Sequence, residues 1–224
     1  AGRMIGLIGP DGVGKSTLMA KFIVEHAAAL EERAFPFVYL DFDRASLDPM
    51  NTVTLLSETA RQVGVQFPEL AGDLESMRLN MQQASEHSRI EQRSRSSSGG
   101  ERAGNQGFAA KISYEFMQRI SSHSIGARPF LLVLDTFEEV QARGEQAVDA
   151  VFSWLSAMAK LRGLRVVIAG RAPSAGQSGV KNRPLGNLGK TAALSLLAKE
   201  GLTAVYAARI YERVGGNPLS LRLA

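Results

Sequence analysis

The chain contains no cysteine, which removes disulfide staples, thiolate metal ligands and a cysteine nucleophile together, and suits a reducing compartment. No apolar run approaches the roughly 18 residues that a membrane-spanning helix needs. Its opening residues, Ala1-Gly2-Arg3, resemble neither a signal peptide nor a natural start. A cytoplasmic segment of a longer protein is expected. Histidine is scarce, and His26, His87 and His123 stand at no short metal-binding spacing. The serines near Gln177 form no nucleophile elbow, and no Ser-His-Asp arrangement stands out. The single tryptophan, Trp154, shares a helical stripe with Val151, Leu155 and Met158 and reads as core. Charge of one sign is lacking too: 26 Lys and Arg are interspersed with 22 Asp and Glu for a net +4, which permits an anionic partner without demanding one.

What the 224 residues do contain is an alternation of short apolar runs and longer helical stripes. With 45% hydrophobic and 21% charged residues, the chain can bury a core as one large domain, or as one domain and part of another. The alternation predicts an α/β fold with a parallel sheet covered on both faces. Strands are expected at 4–8, 37–40, 129–135 and 165–169. The last two are apolar on both faces, as central parallel strands are. A helix is expected over about 15–33, where Leu18, Met19, Phe22, Ile23, Ala27 and Leu30 form one stripe. Another opens at Asp48-Pro49 with Leu55, Leu56, Thr59 and Val63 turned inward, and further helices fall at about 73–92, 108–122 and 144–161. The stretch from Arg93 to Gly104 is too polar and glycine-rich to pack and predicts a mobile surface loop over about 93–106. Residues 172–181 read as loop. Beyond Leu188 the pattern is wholly helical, at 191–199 and 204–214, which divides the chain into a core at 1–187 and a small helical unit at 188–224.

The chemistry starts at Gly9-Pro10-Asp11-Gly12-Val13-Gly14-Lys15-Ser16-Thr17, which fits the G-x-x-x-x-G-K-[ST] pattern of a phosphate-binding loop between a strand and a helix. The glycines let the backbone curl so that N–H groups point inward, and the following helix adds its positive end. Lys15 then supplies a mobile charge for the outer phosphates, and the Ser16 hydroxyl a ligand for Mg²⁺. The alternative, an ordinary glycine turn before a helix, leaves the lysine and hydroxyl unexplained. A nucleotide site also needs a carboxylate to hold Mg²⁺ through water, and the run Phe130-Leu131-Leu132-Val133-Leu134 ends in Asp135. Glu138 and Glu139 follow closely; Glu138 is the better candidate to polarise the attacking water, against the alternative of a solvated turn. The fourth strand ends Gly170-Arg171, and a guanidinium at the carboxyl edge of a parallel sheet faces the ligand crevice, so Arg171 is a candidate sensor of the terminal phosphate. Asp41 and Asp43 read as a strand-ending turn.

In order along the chain, the loop at Gly9 to Thr17, the strand ending Leu134-Asp135, the strand ending Gly170-Arg171 and the element Gly215-Gly216-Asn217-Pro218-Leu219 resemble the STAND-class NTPases, the NB-ARC and NACHT relatives within the AAA+ group. The resemblance implies a three-layer P-loop NTPase fold with sheet order 5-1-4-3-2, and the start of a helical lid at 188–224. It further implies a regulatory ATPase that binds ATP or ADP with Mg²⁺, with Lys15, Ser16 and Asp135 in the two nucleotide motifs and Arg171 as the sensor. Pro218 would pack near adenine and ribose. ADP would hold a resting arrangement, and ATP would free the lid for homo-oligomeric assembly, a population shift that requires the two nucleotides to differ in affinity for the two states. One departure is Thr136, which stands where many AAA+ enzymes place a catalytic Glu; slow hydrolysis, or dependence on Glu138, is the expectation.

Two other readings stay open. An AAA+ ATPase acting on DNA, of the initiator or transposition-helper kind, fits the basic balance and the arginines at 89, 93, 95 and 102. A structural adaptor that keeps ADP permanently is the third. A guanine-specific switch is disfavoured because no Asn-Lys-x-Asp motif is present.

Overall fold

The computed structural model of the chain describes residues 3–27, 35–94, 101–173 and 179–224. The strands are β1 (Arg3–Ile8), β2 (Phe37–Asp41), β3 (Phe130–Asp135), β4 (Leu164–Gly170) and β5 (Val180–Pro184). They form one sheet in the order β2-β3-β4-β1-β5, every neighbouring pair parallel. This is the order expected from the family resemblance. It brings the carboxyl ends of all the strands to one edge, where open parallel sheets bind their ligands.

The central strand β3 is buried along its whole length, the reason its sequence is apolar without alternation. On one face its Leu132 and Leu134 join a core with α2 (Thr52–Gln66), α3 (Pro68–Ser94), α4 (Glu101–Ser122) and α6 (Glu145–Met158). On the other, Leu131 and Val133 pack with Met19 of α1 (Lys15–Phe22) and with Ile23. The expected stripe of α6 is buried, Trp154 included. A short helix, α5 (Phe137–Ala142), follows β3 directly; Phe137 is held edge-on between Phe42 and Phe152, with centroids 6.1 Å away in each case. The helices α7 (Lys190–Lys199), α8 (Ala204–Val214) and α9 (Pro218–Leu223) share an apolar cluster of their own built on Ala193, Leu197, Ala207 and Leu221.

Several boundaries differ from expectation for physical reasons. The first helix runs only to Phe22 and widens into a π-helical turn at Ile23–Ala27, and the rest of its expected span, 28–33, lies outside the described residues. Asp48 opens a turn rather than the helix: its carboxylate accepts from the Met50 N–H at 3.0 Å, and Asn51 caps α2 through the Val53 N–H at 3.0 Å. The polar loop expected over 93–106 is shortened from both sides, since α3 reaches Ser94 and α4 starts at Glu101, with 95–100 outside the described residues. A helix satisfies its own backbone groups, so a polar composition does not force a loop. Arg95 lies outside the described residues, while residues 89, 93 and 102 belong to helical backbone. The region expected as loop over 172–181 ends in β5, whose Val-Lys-Asn-Arg-Pro sequence has no strand pattern; pairing with β1 makes it a strand. Among the described residues no helix is long and apolar enough to cross a membrane.

Candidate functional site

The phosphate-loop candidate leaves the end of β1, where the Gly9 N–H donates to the Gly170 carbonyl at 3.2 Å. Gly12 and Gly14 hold φ of 72° and 98°, a region that side chains rarely adopt. Gly14 precedes α1 without any side-chain cap, so the first N–H groups of that helix carry no internal acceptor from a side chain. Lys15 is buried, and its ammonium donates to the carbonyls of Gly9 at 2.8 Å and Pro10 at 3.1 Å. The lysine thus spans its own loop from inside. Ser16 and Thr17 are exposed on the first turn of α1, and Val13 is buried beneath the loop.

Asp135, at the end of β3, is buried and pointed into this edge. Its Oδ1 accepts from the Thr136 N–H at 2.9 Å, and its Oδ2 accepts from the Tyr39 hydroxyl. Burial first, then the Asp135 hydrogen bond and charge, pushes the Tyr39 phenol well above its ordinary pKa, so the phenol keeps its proton throughout the physiological range. Thr136 sits in the left-handed region at φ 54° and donates from Oγ1 to Asp41 Oδ1 at 2.9 Å. Asp41 also accepts from the Asp43 N–H at 3.2 Å, the turn that the sequence suggested. The ends of β2 and β3 are therefore tied by one polar network, Tyr39, Asp135, Thr136 and Asp41.

Arg171 follows β4 and forms a bidentate pair with Asp11 of the loop, Nε to Oδ1 and a terminal nitrogen to Oδ2, each at 2.7 Å. Its Nε also lies 3.3 Å from Oε1 of Glu138. The other oxygen of Glu138 is buried and has no hydrogen-bond partner among the described residues. A Cβ on Gly170 would stand 3.4 Å from that oxygen, so the glycine leaves it room. Glu139 is exposed and apart from these contacts.

From the helical segment, the Asn217 amide donates to the Asp11 carbonyl at 2.9 Å, and the Leu219 N–H donates to the Gly12 carbonyl at 3.2 Å. Asn217 also caps α9 through the Ser220 N–H at 3.1 Å, with Pro218 half-buried at the first helical position. The structure thus gathers the loop Gly9 to Thr17, Asp135, Glu138, Arg171 and the Asn217-Pro218 element at one sheet edge. Sequence reasoning missed Tyr39, whose signal was a hydroxyl-bearing aromatic near the end of a strand; it named Thr136 only as a departure and Asn217 only within the Gly215 to Leu219 element, without the contacts they make. His26 and His123 make contacts outside the site: His26 packs on Phe22 with centroids 4.8 Å apart, and His123 caps the turn at Ser124–Ala127.

A strand, phosphate loop and helix beside a strand-terminal aspartate, in a five-stranded parallel sheet of this order, define a P-loop NTPase fold. No protein-family model matches the chain. Over 181 residues, 74% of this chain, it is 29% identical to a Lysobacter enzymogenes protein named "Probable ATPase", and it spans only 17% of that relative's length. Among solved structures it is similar to a Walker-type ATPase of Pyrococcus abyssi, with a TM-score of 0.56 at 14% identity, covering 97% of this chain and 60% of that one. It is similar also to the Drosophila ORC structure bound to DNA, with a TM-score of 0.55 at 11% identity, covering 99% of this chain and 48% of that one. At these identities the structural likenesses speak to the fold.

Proposed function

We propose that the chain is the ATP- and ADP-binding ATPase module of a STAND-type regulatory protein, a nucleotide-controlled switch with slow Mg²⁺-dependent hydrolysis. The observation that carries the reading is the meeting, at one sheet edge, of the Lys15-Ser16 loop and the buried carboxylate of Asp135. The name of the Lysobacter relative supports ATPase chemistry. Contact of the Gly215 to Leu219 element with the loop supports a lid role for 188–224.

The residues present fit an anionic nucleotide and its metal. The open amino end of α1 and the two positive-φ glycines form an anion cradle, and the Lys15 ammonium, bound only to neutral carbonyls, can move to phosphate oxygens. No group of three or more metal-binding side chains exists among the described residues. Ser16 and Asp135 alone are too few for a protein-only Mg²⁺ site, which is how Mg²⁺ is held where substrate phosphates complete its shell. Bound Mg²⁺ would supply charge neutralisation for the outer phosphates, with Ser16 and, through water, Asp135 as its protein ligands. Arg171 offers its guanidinium to the terminal phosphate. In this reading the oxygen of Glu138 that has no partner among the described residues would accept a proton from the attacking water. Pro218 lies on the lid side, where a base would be covered.

The test is binding of ATP and ADP followed by steady-state turnover. Lys15→Ala is expected to weaken nucleotide binding by more than about 100-fold without unfolding the chain, and Glu138→Gln to keep binding while turnover falls by about 100-fold or more. If Lys15→Ala binds as tightly as the parent, the loop assignment is wrong. The DNA-acting alternative predicts duplex binding that weakens steeply with salt; failure to retard any duplex at low salt ends it for this chain.

A further inference from the structure

We infer that Tyr39 is a positioning residue for the metal-binding half of the site: its phenol orients the Asp135 carboxylate. The inference rests on the nucleotide reading above and deepens it.

Hydrogen accounting leads there. The Asp135 carboxylate can only accept, so the single proton of the Tyr39 hydroxyl is committed to its Oδ2. On Asp135, Tyr39 takes Oδ2 and the Thr136 N–H takes Oδ1 at 2.9 Å, which fixes the carboxylate plane while leaving a lone pair free on each oxygen. Orientation of this kind, by groups that never touch the metal, governs how tightly the ligands hold it.

The backbone beneath the phenol is pinned as well. β2 is an edge strand, with β3 on one side only. On its open side the Gln62 side chain of α2 accepts from the Tyr39 N–H at 2.8 Å and donates to the Tyr39 carbonyl at 2.8 Å. The ring packs against the cluster of Met19, Ile23, Leu131, Val133 and Ala169. Filling that space needs only the ring. The hydroxyl, aimed at Asp135, is what the inference concerns, and Tyr39→Phe removes it alone.

The decisive measurement is ATP affinity of the parent and of Tyr39→Phe, first in EDTA and then across a Mg²⁺ titration at fixed ATP. The variant is expected to match the parent within about twofold in EDTA, and to need about 10-fold more Mg²⁺ for the half-maximal effect. An unchanged Mg²⁺ midpoint, or an equal loss already present in EDTA, overturns the inference. A second comparison guards against a folding defect: in an Asp135→Asn background, Tyr39→Phe should add no further shift, because its effect passes through that carboxylate. A full additive shift there also overturns it. Should the parent bind no nucleotide in either condition, the nucleotide reading fails first and takes this inference with it; parent binding with an unaltered variant sinks the inference alone.

Discussion

Thr136 is the one residue other than glycine with positive φ among the described residues, at φ 54° and ψ 43°, and it directly follows the buried Asp135. For a β-branched side chain that conformation costs roughly 1–3 kcal/mol and persists only where its surroundings impose it. Here the N–H is held by Asp135 and the hydroxyl by Asp41, each at 2.9 Å. Thr136→Val keeps the shape and the strain but loses the Asp41 hydrogen bond, and should lower stability by about 1–2 kcal/mol in urea unfolding. Thr136→Gly gives up the same bond while releasing the strain, and should cost less. A valine variant as stable as the parent would mean that Asp41 does not hold the turn. The strain therefore sits at the position where the family resemblance places a catalytic glutamate, and Thr136 acts by seating its neighbours.

Among elements, α2 does more than cover the sheet. Gln62 and Gln66 pair with both backbone groups of Tyr39 and of Phe37, through four hydrogen bonds of 2.6 to 3.1 Å. Four residues along a helix advance about 6 Å, close to two residues along a strand, so alternate residues of β2 meet successive turns of α2. The open edge is thereby closed against pairing with another chain. Glu58, one turn earlier, braces Gln62 at 2.8 Å and forms a two-point pair with Arg61 at 2.7 Å. The Arg61 hydrogen bond, partly opposed by burial, holds the Glu58 carboxyl below its ordinary 4.5. Above that value both folded and unfolded chains carry the carboxylate, and the stabilisation is complete. As pH falls through 4.5 the unfolded chain takes up the proton first, so stability drops until the folded group titrates too. Glu58→Gln should accordingly lose less stability than the parent on acidification below 4.5, measured as urea midpoints against pH; parallel curves would refute the linkage.

On the scale of the whole molecule, the phosphate loop is clasped between the end of β4 and the start of α9. Asp11 serves both sides, its carboxylate on Arg171 and its carbonyl on Asn217. The ion pair is largely exposed, so it contributes at most about 1 kcal/mol, and it can yield to a phosphate. The main-chain contacts are tighter in space. A Cβ on Gly12 would stand 2.6 Å from Leu219 Cβ, and one on Gly216 would stand 1.9 Å from the Leu188 carbonyl oxygen. Gly12→Ala should therefore lift α9 from the loop, read as faster hydrogen exchange of the Leu219 amide that now donates to Gly12. Unaltered protection of that amide would show that the clasp does not depend on the close approach.

The parallel sheet, the phosphate loop and the strand ending in Asp135 were legible in the sequence, because buried strands and glycine-rich anion loops leave local patterns of hydropathy and spacing. The limits of the helices were less so: capping by Asn51 and the continuation of α3 to Ser94 depend on hydrogen bonds that composition does not encode. β5 was invisible, because an exposed edge strand is made by its neighbour's backbone and not by its own side chains. Tertiary structure alone decided that Tyr39 meets Asp135, that Arg171 leans on Asp11, and that Asn217 reaches across the chain to the same loop. Those contacts join residues far apart along the chain, and no local pattern records which distant side chain a hydroxyl or guanidinium will meet.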